Sequence, residues 1–389
     1  MHQGKPYIYL DNQSTTKVDD RVIAAMLPYF SDSFGNPSSD NAFGGSAKRA
    51  VTRARQHIAE LINCSPQEIY FTSGATESIN WAIRGIAEKA PLGKNHIITT
   101  SIEHSAVLKT CAFLEKAFHF KITKLTPSTN GKISAGSIRS AITSQTLMVI
   151  VQHANNEIGT IQQIKEIGDI CEETGITFMV DAAQSIGKID CDVNELKVDL
   201  MAASGHKIYA PKGVGFLYIR EEMKNKINPL LYGGGQEDNL RSGTQNVPYI
   251  VALGEACRIC MSEMKTEAKR ILELRNEFIK ILTTQIPDMI INGSLDDRLP
   301  GNINFSVPGI SSDILLRNIQ GITVSKGAAC NSEKKQQSHI LLSISSDDAV
   351  INSAIRIGIG RFNTLEEIQY AAMKMGTAIE AIKTANAHF

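Results

Sequence analysis

Phe178-Met-Val-Asp-Ala-Ala-Gln-Ser185 and, shortly after it, Asp199-Leu-Met-Ala-Ala-Ser-Gly-His-Lys207 decide the fold of this chain. Each is a brief apolar run that breaks off into polar and small residues. Runs of this length, bounded by small-residue turns, read as buried strands with their chemistry at the carboxyl end. Working outward from Phe178–Asp181 and Leu200–Ala203, the same pattern predicts strands over Ile69–Thr72, His96–Thr100, Met148–Gln152 and Val214–Ile219. Amphipathic stretches such as Ala106–Ala117 and Ile164–Thr174 lie between them. Strand and helix in alternation imply an α/β fold with a mostly parallel sheet covered on both faces. From about residue 250 the pattern turns into long helix, Ile250–Leu282, then into shorter elements and a terminal helix from Leu365. The expected organisation is a large α/β domain over 15–255, with a smaller α+β domain formed by 1–14 and 256–389.

Bulk properties narrow the function. Lys plus Arg and Asp plus Glu both number 40 among 389 residues. A balanced charge argues against a broad electrostatic footprint for nucleic acid or an anionic membrane. The seven cysteines are odd in number and scattered, which suits reduced thiols and a cytoplasmic protein. Cys257 and Cys260 have CxxC spacing within a helical stretch and lack a second ligand pair, so they read as small apolar helix residues and no metal is expected. The N-terminal MHQGKPYIYLDN has no apolar core of signal-peptide length, and no run of 18 apolar residues predicts a membrane span.

Five constellations bear chemistry. In Phe71-Thr-Ser-Gly-Ala-Thr-Glu-Ser-Ile-Asn80 a strand passes through Gly into a helix, whose free N–H groups, with the Ser73 and Thr76 hydroxyls, suit an anion. Unaided, this is also how an ordinary capped helix begins. Asp181 ends an apolar strand, where a carboxylate is either a structural acid or the partner of a cationic ligand nitrogen such as a pyridinium. Lys207 follows another strand into a tight turn, where partial burial would lower its pKa as a Schiff-base lysine requires. Ser204 and His206 beside it suit a phosphate. His104, in Ile102-Glu-His-Ser-Ala106, again stands at a strand's carboxyl end. Cys330 lies in Val324-Ser-Lys-Gly-Ala-Ala-Cys-Asn-Ser332, before a polar tract expected to be mobile, with Lys326, Lys334 and Lys335 near enough to favour its thiolate.

As a set, FGNPSS, TSGATES, EHSAV, HANNEIG, VDAAQS, SGHKIYAPKG, GGGQEDNLRSGT and the Cys330 loop resemble the cysteine desulfurases of the NifS/IscS-like group. These are fold-type I enzymes of the class V aminotransferase family, dependent on pyridoxal 5'-phosphate (PLP), and the match runs from Tyr9-Leu-Asp-Asn through Ile355-Arg-Ile-Gly-Ile-Gly-Arg361. The resemblance implies a large domain with a mostly parallel seven-stranded sheet. It makes Lys207 the Schiff-base lysine, Asp181 the pyridinium partner, Gln184 the partner of the phenolic oxygen, and His104 a ring-stacking group that assists proton transfer. Ala75, Thr76, Ser204 and His206 would hold the phosphate, joined by Thr244 from the other subunit of a homodimer. Asn156 would sit by the cofactor, while Asn36 and Arg356 would grip the substrate carboxylate. Cys330 would attack the sulfur of L-cysteine, hold it as a persulfide and pass it to an acceptor protein.

The loop departs from the group's usual Ser-Ser-Gly-Ser-Ala-Cys-Thr-Ser at Lys326, Ala328 and Asn331, and Asp40-Asn41 replaces a usual Ser-His. The group's housekeeping members carry a C-terminal extension that helps dock an iron–sulfur scaffold; this sequence stops at Ala387-His-Phe389. The acceptor is therefore expected in a DNA phosphorothioation, iron–sulfur cluster or tRNA thiolation pathway, with a specialised phosphorothioation member among the alternatives. The competing readings are a selenocysteine lyase, a PLP-dependent aminotransferase, or an inactive PLP-binding scaffold subunit.

Overall fold

A computed structural model describes residues 7–326 and 337–386. Its strands are β1 Ile8–Tyr9, β2 Ile69–Thr72, β3 His96–Thr100, β4 Lys121–Leu125, β5 Thr146–Gln152, β6 Thr177–Asp181, β7 Leu200–Ser204, β8 Gly215–Ile219, β9 Ile290–Ile291, β10 Asn302–Ser306, β11 Ile322–Thr323, β12 Ser325–Lys326 and β13 Ile355–Gly358. Its helices are α1 Asp20–Met26, α2 Pro28–Ser31, α3 Ala42–Ile62, α4 Ala75–Glu88, α5 Ser105–Phe118, α6 Ala135–Ala141, α7 Ile164–Thr174, α8 Val247–Gln285, α9 Ser312–Asn318, α10 His339–Ile344, α11 Asp348–Ser353 and α12 Leu365–Asn386.

The large sheet has the order β2-β8-β7-β6-β5-β3-β4. Only β8 runs against the others, pairing antiparallel with both β2 and β7. The carboxyl ends of β2, β3, β5, β6 and β7 therefore share one edge, and the loops beyond them converge. Strand β4 was not among the expected strands: no residue of its KITKL is fully buried and three of the five are polar, as an edge position allows. The central strands are buried on both faces. One face packs with α3, α7 and the first part of α8, the other with α4 and α5.

Helix α8 links two cores. Its residues Val247–Cys260 pack under the large sheet, while Ile271, Leu274, Phe278 and Leu282 pack with β10, β13 and α12. The second core belongs to a four-stranded sheet of order β12-β13-β10-β9. The N-terminal β1 pairs in parallel with β11, joining Ile8 to Ile322. Cys257 and Cys260 are both buried in α8, among apolar neighbours. No helix among the described residues is long and apolar enough to cross a membrane.

Candidate active site

A cavity of about 490 Å³ opens at the shared carboxyl edge of the large sheet. Ala75 and Thr76 line it from the start of α4, just after β2, His104 from the loop after β3, and Asn156 from the loop after β5. Asp181 and Gln184 follow from β6, and Ser204, His206 and Lys207 from β7. Arg356 of β13 closes it from the smaller sheet. Ten of the thirteen residues singled out in the sequence thus meet at one cavity. Asn36 and Thr244 are exposed and do not line it, and Cys330 lies outside the described residues.

The anion side is built by backbone. Gly74 is the N-cap of α4 with φ at +146°, a conformation glycine adopts freely, and supplies no capping side chain. The start of a 14-residue helix thus faces the cavity with its amides and the positive end of its dipole. Gly215 permits this approach, since a Cβ there would come within 2.6 Å of the Gly74 Cα. His206 closes the same side: its Nδ1 meets the Thr15 hydroxyl at 3.1 Å, and burial, with Lys207 and Lys212 nearby, pushes its pKa down to about 4. It is a neutral imidazole at pH 7.

At the other end, Asp181 is buried, and its Oδ1 accepts a hydrogen bond from the Ala183 amide at 2.9 Å. Burial pushes its carboxyl above the ordinary value, opposed by His104 whenever that ring is protonated, by that amide and by Lys207. A desolvated carboxylate that lines a cavity calls for a cationic partner. His104 caps α5, its Nδ1 accepting from the Ala106 amide at 3.1 Å. Burial depresses its pKa, so the ring is neutral and the proton resides on Nε2. The imidazole accordingly offers an N–H rather than a lone pair at that nitrogen.

Lys207 Nζ donates to the carbonyls of Gln13 and of Ser14, the latter at 2.7 Å. Gln184 Nε2 donates to the same Gln13 carbonyl at 3.0 Å. Arg356 is almost wholly buried. Its Nη2 donates to Asp11 Oδ1 at 2.7 Å and to Ser14 Oγ at 2.6 Å, and its Nη1 to the Asn156 carbonyl at 3.1 Å. The sequence drew notice to Asp11-Asn-Gln-Ser-Thr-Thr only as a departure from the group's pattern, and gave Asp11, Gln13 and Ser14 no role in the site. Their signal was position: they sit in the Tyr9-Leu-Asp-Asn motif and just after it, with no strand end to mark them.

With this geometry in view, the class-V aminotransferase model matches residues 8–371. The chain belongs to the aminotransferase class-V family. Within the family it is similar to "Cysteine desulfurase IscS" of Rickettsia bellii, at 46% identity over 97% of this chain and 92% of that protein. The Rickettsia akari protein of the same name is 45% identical over the same shares. Among solved structures, a NifS-like protein superposes with a TM-score of 0.89 at 36% identity, covering 96% of this chain and 99% of that one. "SspA in complex with cysteine" superposes at 0.80 with 38% identity, covering 92% and 100%. DndA from Streptomyces lividans superposes at 0.75 with 34% identity, covering 90% and 99%.

Class-V aminotransferases use PLP, and the cavity has the donor set for it. A helix N-terminus with Ser204 and His206 suits the phosphate, Asp181 the ring nitrogen and Lys207 the aldehyde carbon. A prediction follows from the Asp181 environment. Asp181→Asn removes the charge that would keep a ring nitrogen protonated, and substrate Cα deprotonation should slow about tenfold to a hundredfold, the worth of one charge-assisted hydrogen bond. Exchange of the L-cysteine Cα proton in deuterated water, followed by mass spectrometry, checks it.

Proposed function

We propose that this chain is a PLP-dependent cysteine desulfurase, which takes sulfur from L-cysteine, releases L-alanine and holds the sulfur as a persulfide on Cys330. The observation that carries the reading is the meeting of Lys207, Asp181, His104 and Arg356 at one cavity beside an open helix N-terminus. When bound, PLP supplies an electron sink that makes the substrate Cα–H acidic. The protein's own groups do the rest.

Arg356 receives the substrate carboxylate, and Asp11 holds its guanidinium in place without filling every donor, since Nε has no partner. Lys207 would give up its place at the aldehyde carbon to the substrate amine, and its own amine, freed in that exchange, would move the Cα proton. His104 presents its Nε2–H to the reacting side and stabilises developing negative charge there. Asn156 and Gln184 fix the plane of the bound ring, with Ala75, Thr76, Ser204 and His206 around the phosphate.

Sulfur transfer balances without any added oxidant. The Cys330 thiolate attacks the substrate Sγ, an S–S bond forms and the Cβ–Sγ bond breaks. The electron pair of that bond stays with the carbon skeleton, which takes up a proton and leaves as alanine. Register supports the role of Cys330: in the β12–β13 pair Ser325 lies opposite Arg356, so the chain leading to Cys330 starts beside the carboxylate anchor.

The unit is a homodimer. Thr244 is exposed and stands off its own chain's cavity, as a residue serving a neighbouring subunit's phosphate would. Its loop contains Glu237, Asp238 and Asn239, three successive non-glycine residues at positive φ, held by the Arg55–Glu237 ion pair. Strain maintained in this way suggests a functional loop. The exposed apolar side chains of Leu27, Phe30, Phe34 and Phe43 supply a surface for the second copy. The acceptor is a protein of DNA phosphorothioation, iron–sulfur assembly or tRNA thiolation in the cytoplasm, and transfer from the Cys330 persulfide to purified acceptors of each class decides among them.

Product analysis tests the activity. Purified enzyme given L-cysteine should release alanine in step with sulfide when a thiol is present. Without thiol, the Cys330 peptide should gain one sulfur atom. A keto acid that keeps the sulfur, with the cofactor left as the amine, would instead mean a transaminase, pyruvate with sulfide would mean a lyase, and a protein that binds no PLP would end the reading.

A further inference from the structure

Ser338 stands eight positions after Cys330 and is buried. Its hydroxyl caps α10 by accepting from the Leu341 amide at 3.2 Å, and it donates to Glu157 Oε2 at 2.5 Å. His339 adds a second tie, with Nε2 3.1 Å from the Glu103 carbonyl. Beneath them Ile340 and Leu341 pack with Ile102 and Ile158 in a small apolar cluster.

Glu157 is not an isolated acid. It directly follows Asn156, whose carbonyl accepts from Arg356. Its own carbonyl accepts from the side-chain amides of Asn302 and Asn304 at 3.1 and 3.2 Å. On the other side of the segment that bears Cys330, Ser325 lies in register with Arg356. Both ends of that segment are therefore tied to the wall that holds the substrate arginine.

We infer that Glu157 is a positioning residue, which through its hydrogen bond to Ser338 fixes where the Cys330 segment rejoins the cavity wall and so sets the rate at which Cys330 meets the substrate sulfur. This rests on the reading of Cys330 as the sulfur-accepting nucleophile. The dryness of the site strengthens the case. Burial pushes the Glu157 carboxyl up to about 7, against the pull of Ser338 and Arg356, so water does not readily replace a lost partner.

The test mixes PLP-loaded enzyme rapidly with L-cysteine and no acceptor thiol. Two events are followed: the change in cofactor absorption as substrate enters, and persulfide on Cys330 by mass. Ser338→Ala and Glu157→Leu should each slow persulfide formation about fivefold to tenfold, the worth of one buried hydrogen bond. The cysteine concentration that half-saturates the absorption change should stay as in wild type. Ser338→Thr, which keeps the hydroxyl, should behave as wild type. The double variant should be no slower than either single, because both remove the same bond. Wild-type persulfide rates in both single variants overturn the inference, as does an equal loss of both signals, which marks a merely structural bond. Absence of Cys330 persulfide in the wild type would instead strike the desulfurase reading itself.

Discussion

Lys207→Ala and Cys330→Ala should each abolish sulfur release, by on the order of a thousandfold or more, while leaving opposite spectra. Lys207 stands just past the end of β7, with its amine held toward the carbonyls of Gln13 and Ser14 in the cavity wall. No other described residue is placed to do the same from that strand end. Its loss removes the covalent link to the cofactor and the base at the substrate Cα together. The Lys207→Ala protein should therefore lack Schiff-base absorption before substrate, and should exchange no Cα proton. Cys330→Ala leaves every described cavity residue untouched. It should show the wild-type spectrum, should exchange the Cα proton of L-cysteine, and should form neither alanine nor persulfide. Absorption spectra, proton exchange and alanine assays on the two variants check the division. Residual desulfuration in Cys330→Ala near the wild-type rate would assign the nucleophile elsewhere, and the cavity would then suit a lyase.

What could be read in the sequence follows the physics of strand ends. Phe178–Asp181 and Leu200–Ser204 are buried on both faces, so hydrophobicity marks them, and the polar residues at or just past the end of each fall at the sheet edge. Asp181, Lys207 and His104 were legible for that reason. Strand β4 was not, because an edge strand need not be apolar. Nor were Asp11, Gln13 and Ser14, which reach the cavity from the far end of the chain. Asp11 meets Arg356 across 345 positions, and Gln13 offers Lys207 only a backbone carbonyl. No local pattern encodes such contacts. The acids Glu103 and Glu157 were visible only as neighbours of His104 and Asn156, since burial is a property of the packed whole.

Glu103 supplies the prediction with the largest effect on stability. It is fully buried beside His104. Its Oε1 accepts from the Thr100 hydroxyl at 2.7 Å and the Gln152 amide at 3.1 Å, while Oε2 has no partner. Burial raises its pKa from 4.5 to about 8, outweighing those two bonds, and Asp181 pushes the same way. The folded protein thus keeps a proton that the unfolded chain gives up above its ordinary carboxylate pKa. With a raised folded pKa, the stability from this group is complete below about pH 4.5 and falls as pH rises, levelling off above about 8. The loss is on the order of 5 kcal/mol, because a tenfold change in proton affinity between the folded and unfolded chain is worth roughly 1.4 kcal/mol. Glu103→Gln keeps an acceptor for Thr100 and Gln152 and cannot ionise. At pH 5 its amide has the same shape as the protonated acid but an extra unpaired N–H, so it should be equal to or slightly less stable than wild type. At pH 9 it should be the more stable of the two. Thermal melts of both proteins from pH 5 to 9 read the difference, in which the other titrating groups cancel. A difference in melting temperature that does not change with pH would mean that Glu103 ionises as freely in the folded protein as in the unfolded chain, and that the floor beneath His104 is wet.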